Sequence, residues 1–284
     1  MNAIEIQGLR KSFRSFALDD INMTLPKGYI MGLIGANGAG KTTLIRILMG
    51  LYHRDDGEVS ILGLDPMKDG KRLREDIGFV FDEPKYYDFK LNKIKKIIAP
   101  FYKLWDEEQY HHYMNRFSLN GKMRFKELSR GMKLKFALAI ALSHHAKLLI
   151  LDEPTSGLDP VFRIELLDIL QEVIEDGDKT ILFSSHITSD IEKIADFITY
   201  LQLGKIIFSE DKNKLLEQYI IIQGQEKEIP TDIKNIMIHG KVTPYFYEAL
   251  IPKSNHLTPH WKEEHHPTLD ELMYFFEKRR ISDV

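Results

Sequence analysis

Apolar and polar residues alternate from Ile4 to Leu9 and again from Leu18 to Leu25, the period-two pattern of strands with one buried face. Pro26, Lys27 and Gly28 then mark a turn, so a small antiparallel sheet is predicted to open the chain. Ile30, Met31, Gly32, Leu33 and Ile34 form instead a continuous apolar run, as in strands buried on both faces. A glycine-rich segment follows at once, and behind it Thr43, Leu44, Ile45, Ile47 and Leu48 carry a helical pattern. The order strand, loop, helix is predicted here. From Pro84 to about His145 lysines and aromatics dominate, and Leu91, Ile94, Ile97 and Ile98 are predicted to share one helix face. The buried-strand pattern returns at Leu148 to Leu151, Thr180 to Ser184 and Phe197 to Leu203, which predicts a mostly parallel sheet covered by helices on both faces.

Past Ser209 the pattern loosens, and Gly224, Pro230, Pro244, Pro252 and Pro259 punctuate short β-like pieces such as Tyr219 to Ile222. A boundary is placed near residue 210. Residues 1–209 are read as one α/β domain with an N-terminal antiparallel β subdomain and a helical subdomain at about 84–145. Residues 210–284 are read as a small α+β accessory region. A last helix is predicted after Pro267, with Thr268 as N-cap, Asp270 and Glu271 in its first turn, and Lys278, Arg279 and Arg280 in its last.

Composition narrows the function classes. The formal net charge of −3 over 284 residues gives no basic signal, so no nucleic-acid partner is expected. The chain has 0 cysteines, which excludes disulfides, thiol catalysis and cysteine-ligated zinc. Met1 to Phe13 holds no apolar block of the signal-peptide kind, and the most apolar stretch, Phe136 to Leu142, is far shorter than the roughly 20 residues needed to span a bilayer. A cytoplasmic location is expected, with any membrane role supplied by a partner. His256, His260, His265 and His266 surround Trp261 without a regular ligand spacing, so no metal site is read there.

The chemistry lies elsewhere. Gly35, Ala36, Asn37, Gly38, Ala39, Gly40, Lys41 and Thr42 form a complete phosphate-binding loop between a predicted buried strand and a predicted helix. Glycines let successive backbone N–H groups point at phosphate oxygens, and the helix adds its positive end to the same place. Lys41 is expected to reach the β- and γ-phosphates, Thr42 to ligate Mg²⁺, and Thr43 to contact an inner phosphate. A second element, Leu148 to Leu151, ends in Asp152 and Glu153. Asp152 is assigned to Mg²⁺, and Glu153 to polarising the water that attacks the γ-phosphate of ATP.

Asp152-Glu153-Pro154-Thr155-Ser156-Gly157-Leu158-Asp159 closely resembles the Walker B and D-loop segment of ABC ATPases, the D-loop being Ser156, Gly157, Leu158 and Asp159. Leu128-Ser129-Arg130-Gly131-Met132 stands where that family carries its LSGGQ signature, and Ser184-Ser185-His186 ends where it has its switch histidine. The match covers roughly residues 4–208. The resemblance implies a P-loop NTPase core with a helical signature subdomain, and a head-to-tail dimer, homomeric or heteromeric. In it ATP is held between the phosphate loop of one subunit and Ser129, Arg130, Gly131 and Met132 of the other. It implies a catalytic role for His186 beside Glu153, and an aromatic that stacks on adenine near Phe13, with Phe16 as the competing position.

Two departures stand out. The signature has Arg130 and Met132 in place of glycine and glutamine, and Asp82 occupies the Q-loop position. An aspartate can attend Mg²⁺ but cannot donate an amide hydrogen bond to water; it can also simply start the turn at Pro84. Tyr86, Tyr87 and Phe89 lie where similar proteins seat a permease's coupling helix, or else pack beneath the helical subdomain. The motifs resemble those of bacterial exporters of peptides and antibiotics of the bacitracin or amphipathic toxin-peptide type, in which the ATPase powers a separate transmembrane permease subunit at the inner face of the membrane. A soluble, non-transport ABC ATPase is the alternative.

Overall fold

A computed structural model describes residues 1–225, 229–253 and 261–282, with the side chains of 279–282 excepted. The chain divides into two compact units, Met1–Ser209 and Glu210–Val284. His256 and His260 lie outside the described residues, as do the side chains of Arg279 and Arg280.

The first unit opens with β1 (Asn2–Ser12) and β2 (Ala17–Pro26), followed by β3 (Ile30–Ile34), α1 (Lys41–Leu48) and β4 (Asp56–Ile61). β1 pairs antiparallel with both β2 and β4, making a three-stranded sheet ordered β2-β1-β4. The helical part comprises α2 (Gly70–Leu73), then β5 (Ile77–Val80), α3 (Leu91–Ile98), α4 (Glu107–Arg116) and α5 (Arg130–Leu142). β6 (Leu148–Asp152), α6 (Pro160–Ile174), β7 (Thr180–Ser185), α7 (Thr188–Ile194), β8 (Phe197–Gln202) and β9 (Lys205–Asp211) complete the set. The second sheet runs β5-β6-β7-β3-β8-β9, and every pairing from β5 to β8 is parallel.

The apolar run of β3 is buried at all five positions, as its pattern requires. Helix α1 is eight residues long, too short to be stable by itself. Packing holds it: Leu44, Ile45, Ile47 and Leu48 are fully buried in one core with Ile4, Leu9 and Leu25 of the antiparallel sheet and Leu33, Ile150 and Leu182 of the parallel one. Each such side chain contributes roughly 1.5–3 kcal/mol on burial. On the opposite face Ile191 of α7 lies directly against Gly32.

One expected face needs correction. Leu91 and Ile94 are buried and Ile98 lines a groove, but Ile97 is exposed. At about 100° per residue, Leu91, Ile94 and Ile98 fall within one sector and Ile97 falls a quarter-turn away. Tyr86 packs beneath the helical subdomain, with its ring 5.1 Å from Phe125 and 5.6 Å from Phe136, while Tyr87 stands exposed. Burial drives the Tyr86 phenol far above its ordinary pKa. His144 closes the end of α5. Its ring nitrogens lie 3.1 Å from the carbonyls of Ile140 and Ile77, and the ring stacks on Tyr102.

The second unit holds α8 (Lys212–Glu217), β10 (Tyr219–Gly224), α9 (Thr231–Ile236), β11 (His239–Val242), β12 (Tyr247–Pro252), β13 (Glu263–His265) and α10 (Leu269–Ser282). Its antiparallel sheet is ordered β11-β12-β10-β13. Ile220, Ile222, Tyr247 and Ile251 form a core with Ile233 of α9. Thr268 caps α10 as expected: its Oγ1 accepts from Glu271 N, and Glu271 Oε2 accepts from Thr268 N. His265 Nε2 lies 3.4 Å from Glu271 Oε1.

Candidate active site

Three strands of the parallel sheet end side by side. Register places Asp152 of β6 opposite Ser184 of β7, and Ser185 opposite Ile34 of β3, so the phosphate loop and both carboxylates rise from one edge. This is where open α/β sheets bind ligands. Gly40 starts α1 with φ 113°, and a Cβ there would stand 2.7 Å from Phe16 Cζ and 2.8 Å from Leu18 Cδ2. Glycine alone satisfies both demands.

Lys41 Nζ donates to Gly35 O at 2.6 Å and lies 2.9 Å from Glu153 Oε1. Both side chains are nearly buried, 6% and 12% exposed. Glu153 Oε1 has no aligned hydrogen-bond donor among the described residues, so that ion pair carries its charge. The other oxygen, Oε2, accepts from His186 N at 3.3 Å and sits 2.7 Å from His186 Nδ1. Glu153 itself has φ 50°, a left-handed conformation that costs a non-glycine residue about 1–3 kcal/mol. Its N–H, donating to Ser184 Oγ at 2.9 Å and close to Ser184 O at 3.2 Å, helps hold it there.

Ser184 is the residue that the sequence pattern passes over. Its hydroxyl donates to Asp152 Oδ1 at 2.8 Å while accepting from Glu153 N, tying the two acids together. The only signal is a polar residue ending the apolar run Ile181 to Phe183. Thr42 Oγ1 stands 3.4 Å from the same Asp152 oxygen. Burial raises the Asp152 pKa above the usual carboxylate value. The hydrogen bonds from Ser184 and Thr42 oppose that shift, and the negative charges of Glu153 and Asp82 add to it. A buried carboxylate with a nearby hydroxyl, both hard oxygen donors, suits a divalent cation.

The raised pKa fixes the sign of a stability effect. Because the folded chain holds this proton more tightly than the unfolded one, the ionised Asp152 opposes folding once pH exceeds the ordinary carboxylate range. Asp152→Asn is therefore expected to raise the melting temperature of the nucleotide-free chain at neutral pH. The gain over wild type should shrink as pH falls toward the ordinary aspartate pKa. Differential scanning fluorimetry across pH measures it; a variant that melts lower at neutral pH contradicts the assignment.

The signature segment makes other contacts. Ser129 caps α5, its Oγ accepting from Met132 N at 3.3 Å. Arg130 Nη2 donates to Asp82 Oδ1 at 2.5 Å, and its guanidinium lies over Gly157, where a Cβ would be 3.1 Å from Nη1. Gly131 faces open space except for Leu158 Cδ2. In the D-loop Asp159 caps α6, accepting from Phe162 N at 3.0 Å with Pro160 beginning the helix. Asp82 lines a cavity of about 330 Å³ with Thr42, Arg46 and Asp152. Phe13 is exposed, with its ring 5.9 Å from Tyr52 and 6.4 Å from Phe16; Phe16 instead packs against Gly40. Tyr52 is a third aromatic of this edge. Its position after α1 gave no hint of that.

A phosphate loop on β3 beside paired acids on β6 defines a P-loop nucleoside triphosphatase. Residues 18–156 match the family model described as ABC transporter. The chain is 31% identical to the ABC transporter ATP-binding protein YtrB of Bacillus subtilis (strain 168) over 259 residues, covering 89% of this chain and 87% of that one. It is 37% identical to the lantibiotic transport ATP-binding protein SrtF of Streptococcus pyogenes over 212 residues, covering 73% of this chain and 90% of that one. A solved structure of an ATP-binding subunit of an ABC transporter superposes with TM-score 0.70 at 26% identity, covering 76% of this chain and 92% of that one. The chain belongs to the ATP-binding proteins of ABC transporters, and it is an ATPase subunit of that family. Its relatives are transport proteins, which decides against the soluble, non-transport alternative. The YtrB alignment is longer than the first unit's 209 residues, so it takes in part of the second.

Proposed function

We propose that this chain is the motor of a bacterial exporter of peptides or antibiotics, in which two ATPase subunits close head to tail on ATP and drive a separate transmembrane permease. The observation that carries the mechanism is the chain of contacts from Lys41 through Glu153 to His186, set beside Asp152 and Ser184. Without nucleotide the Lys41 ammonium is neutralised by Glu153. Phosphate oxygens in the loop compete for that ammonium and leave Glu153 Oε1 free to accept a proton from water, while His186 keeps the other oxygen in place. Bound magnesium, with Thr42 and Asp152 to hold it, supplies charge neutralisation at the phosphates. Ser129 and the Gly131 N–H are read as reaching the partner's γ-phosphate, adding stabilisation that exists only in the closed pair.

For the permease, the matching surface is a groove of about 570 Å³ floored by Phe79, Tyr86, Ile98 and Tyr102 and rimmed by Lys71 and Arg74, with Phe101 at its edge. Phe101 and Tyr87 stand largely exposed, as anchors for a partner do. Among the described residues no helix is long and apolar enough to cross a membrane, so in this reading the chain reaches the inner membrane face through the permease. The export of peptides or antibiotics rests on the name of the lantibiotic relative.

Mixing two inactive variants tests the head-to-tail arrangement. Lys41→Ala and Ser129→Arg each disable a different half of the composite site. In the mixed dimer one site joins an intact loop to an intact signature, so an equimolar mixture is expected to recover up to roughly a quarter of wild-type turnover. A mixture as inactive as its components contradicts the arrangement.

A further inference from the structure

The guanidinium of Arg130 bridges segments far apart in sequence. It begins the signature helix, donates to Asp82 at the Q-loop position, and covers Gly157 of the D-loop. A cation at a helix N-terminus meets the positive end of the dipole, so this side chain is better placed with a carboxylate beside it. Asp82 is that carboxylate. It also lines the cavity that holds Thr42 and Asp152, and its negative charge is felt at Asp152. The same carboxylate would therefore answer to two competing cations: the guanidinium of its own chain, and a divalent cation if one is held near Thr42 and Asp152.

We propose that Arg130 is a positioning residue, an in-chain latch that engages Asp82 in the nucleotide-free state and releases it as magnesium nucleotide binds, so that signature helix and metal site respond to each other within one subunit. This rests on the reading of Thr42 and Asp152 as the magnesium site. The pair is half-exposed, 44% and 47% at the two side chains, so the coupling is modest and weakens as ionic strength rises. The competition has a definite sign: removing Arg130 frees Asp82 and strengthens magnesium-dependent binding.

The test is a double-mutant cycle on the full chain, with a fluorescent non-hydrolysable ATP analogue bound at increasing MgCl₂. Arg130→Ala is expected to lower the magnesium concentration for half-maximal binding by about two- to fivefold. In the Asp82→Asn background the same change is expected to have no effect. Arg130→Lys, which keeps the charge, is expected to stay near wild type, a rescue that a merely structural role would not predict. An equal shift in both backgrounds, or none in either, overturns the latch while leaving the site reading intact. Analogue binding that is independent of magnesium in the unmutated chain overturns the site reading, and the latch with it.

Discussion

Replacing Glu153 by glutamine is expected to lower ATP turnover by roughly 10²–10⁴-fold while leaving nucleotide binding in place. Glutamine keeps the volume and one carbonyl oxygen, so the contact with His186, 2.7 Å from Oε2 in the native chain, can be retained. What is lost is the negative charge that accepts a proton from water, and with it the ion pair to Lys41. Because Lys41 is then held only by Gly35 O and Ala36 O, its ammonium is more available to phosphate, and affinity for ATP should rise slightly. Phosphate release and fluorescent-nucleotide binding, measured side by side, separate the two effects. A variant that turns over at a tenth of wild type or faster contradicts the role given to Glu153.

Lys41→Ala is expected to act on both states of the protein. In the loaded state it removes the one lysine that the phosphate loop presents, and turnover should fall by about 10²–10³-fold. In the empty state it leaves Glu153 Oε1 buried without its partner. A group abandoned in this way costs about 1–3 kcal/mol. The nucleotide-free variant should therefore melt below wild type, and adding Glu153→Gln should restore much of that loss, since a neutral amide tolerates the site better than an unpaired charge. Melting curves of the two single variants and the double variant report the coupling. If Lys41→Ala melts as wild type, the ion pair contributes nothing to the empty state.

Much of this was legible because the decisive features are contiguous. The buried run Ile30 to Ile34, the phosphate loop and the helix behind it lie within twenty residues, and each is dictated by its own local pattern. Asp152 and Glu153 end an apolar run for the same reason. Contacts between distant segments left no such trace. Asp82 and Arg130 are 48 positions apart, and neither residue type announces the other. Ser184 looks like an ordinary strand end until the register sets it against Asp152. Tyr86 and Tyr87 are neighbours of one chemical kind, yet one packs half-buried against Phe125 and the other is exposed, a difference set by which way the loop turns. In the second unit, strands of three to six residues broken by prolines gave weak periodicity, and their order around Tyr219–Gly224 follows from pairing alone.

Size-exclusion chromatography of Glu153→Gln with and without Mg-ATP reports directly on closure of the two ATPase subunits. The variant is expected to elute as a monomer without nucleotide and as a dimer when ATP is present, because a subunit that binds but does not hydrolyse keeps the composite site closed. A variant that binds ATP, fails to hydrolyse it and still elutes as a monomer, in the absence of any permease, would contradict closure by the two ATPase subunits alone.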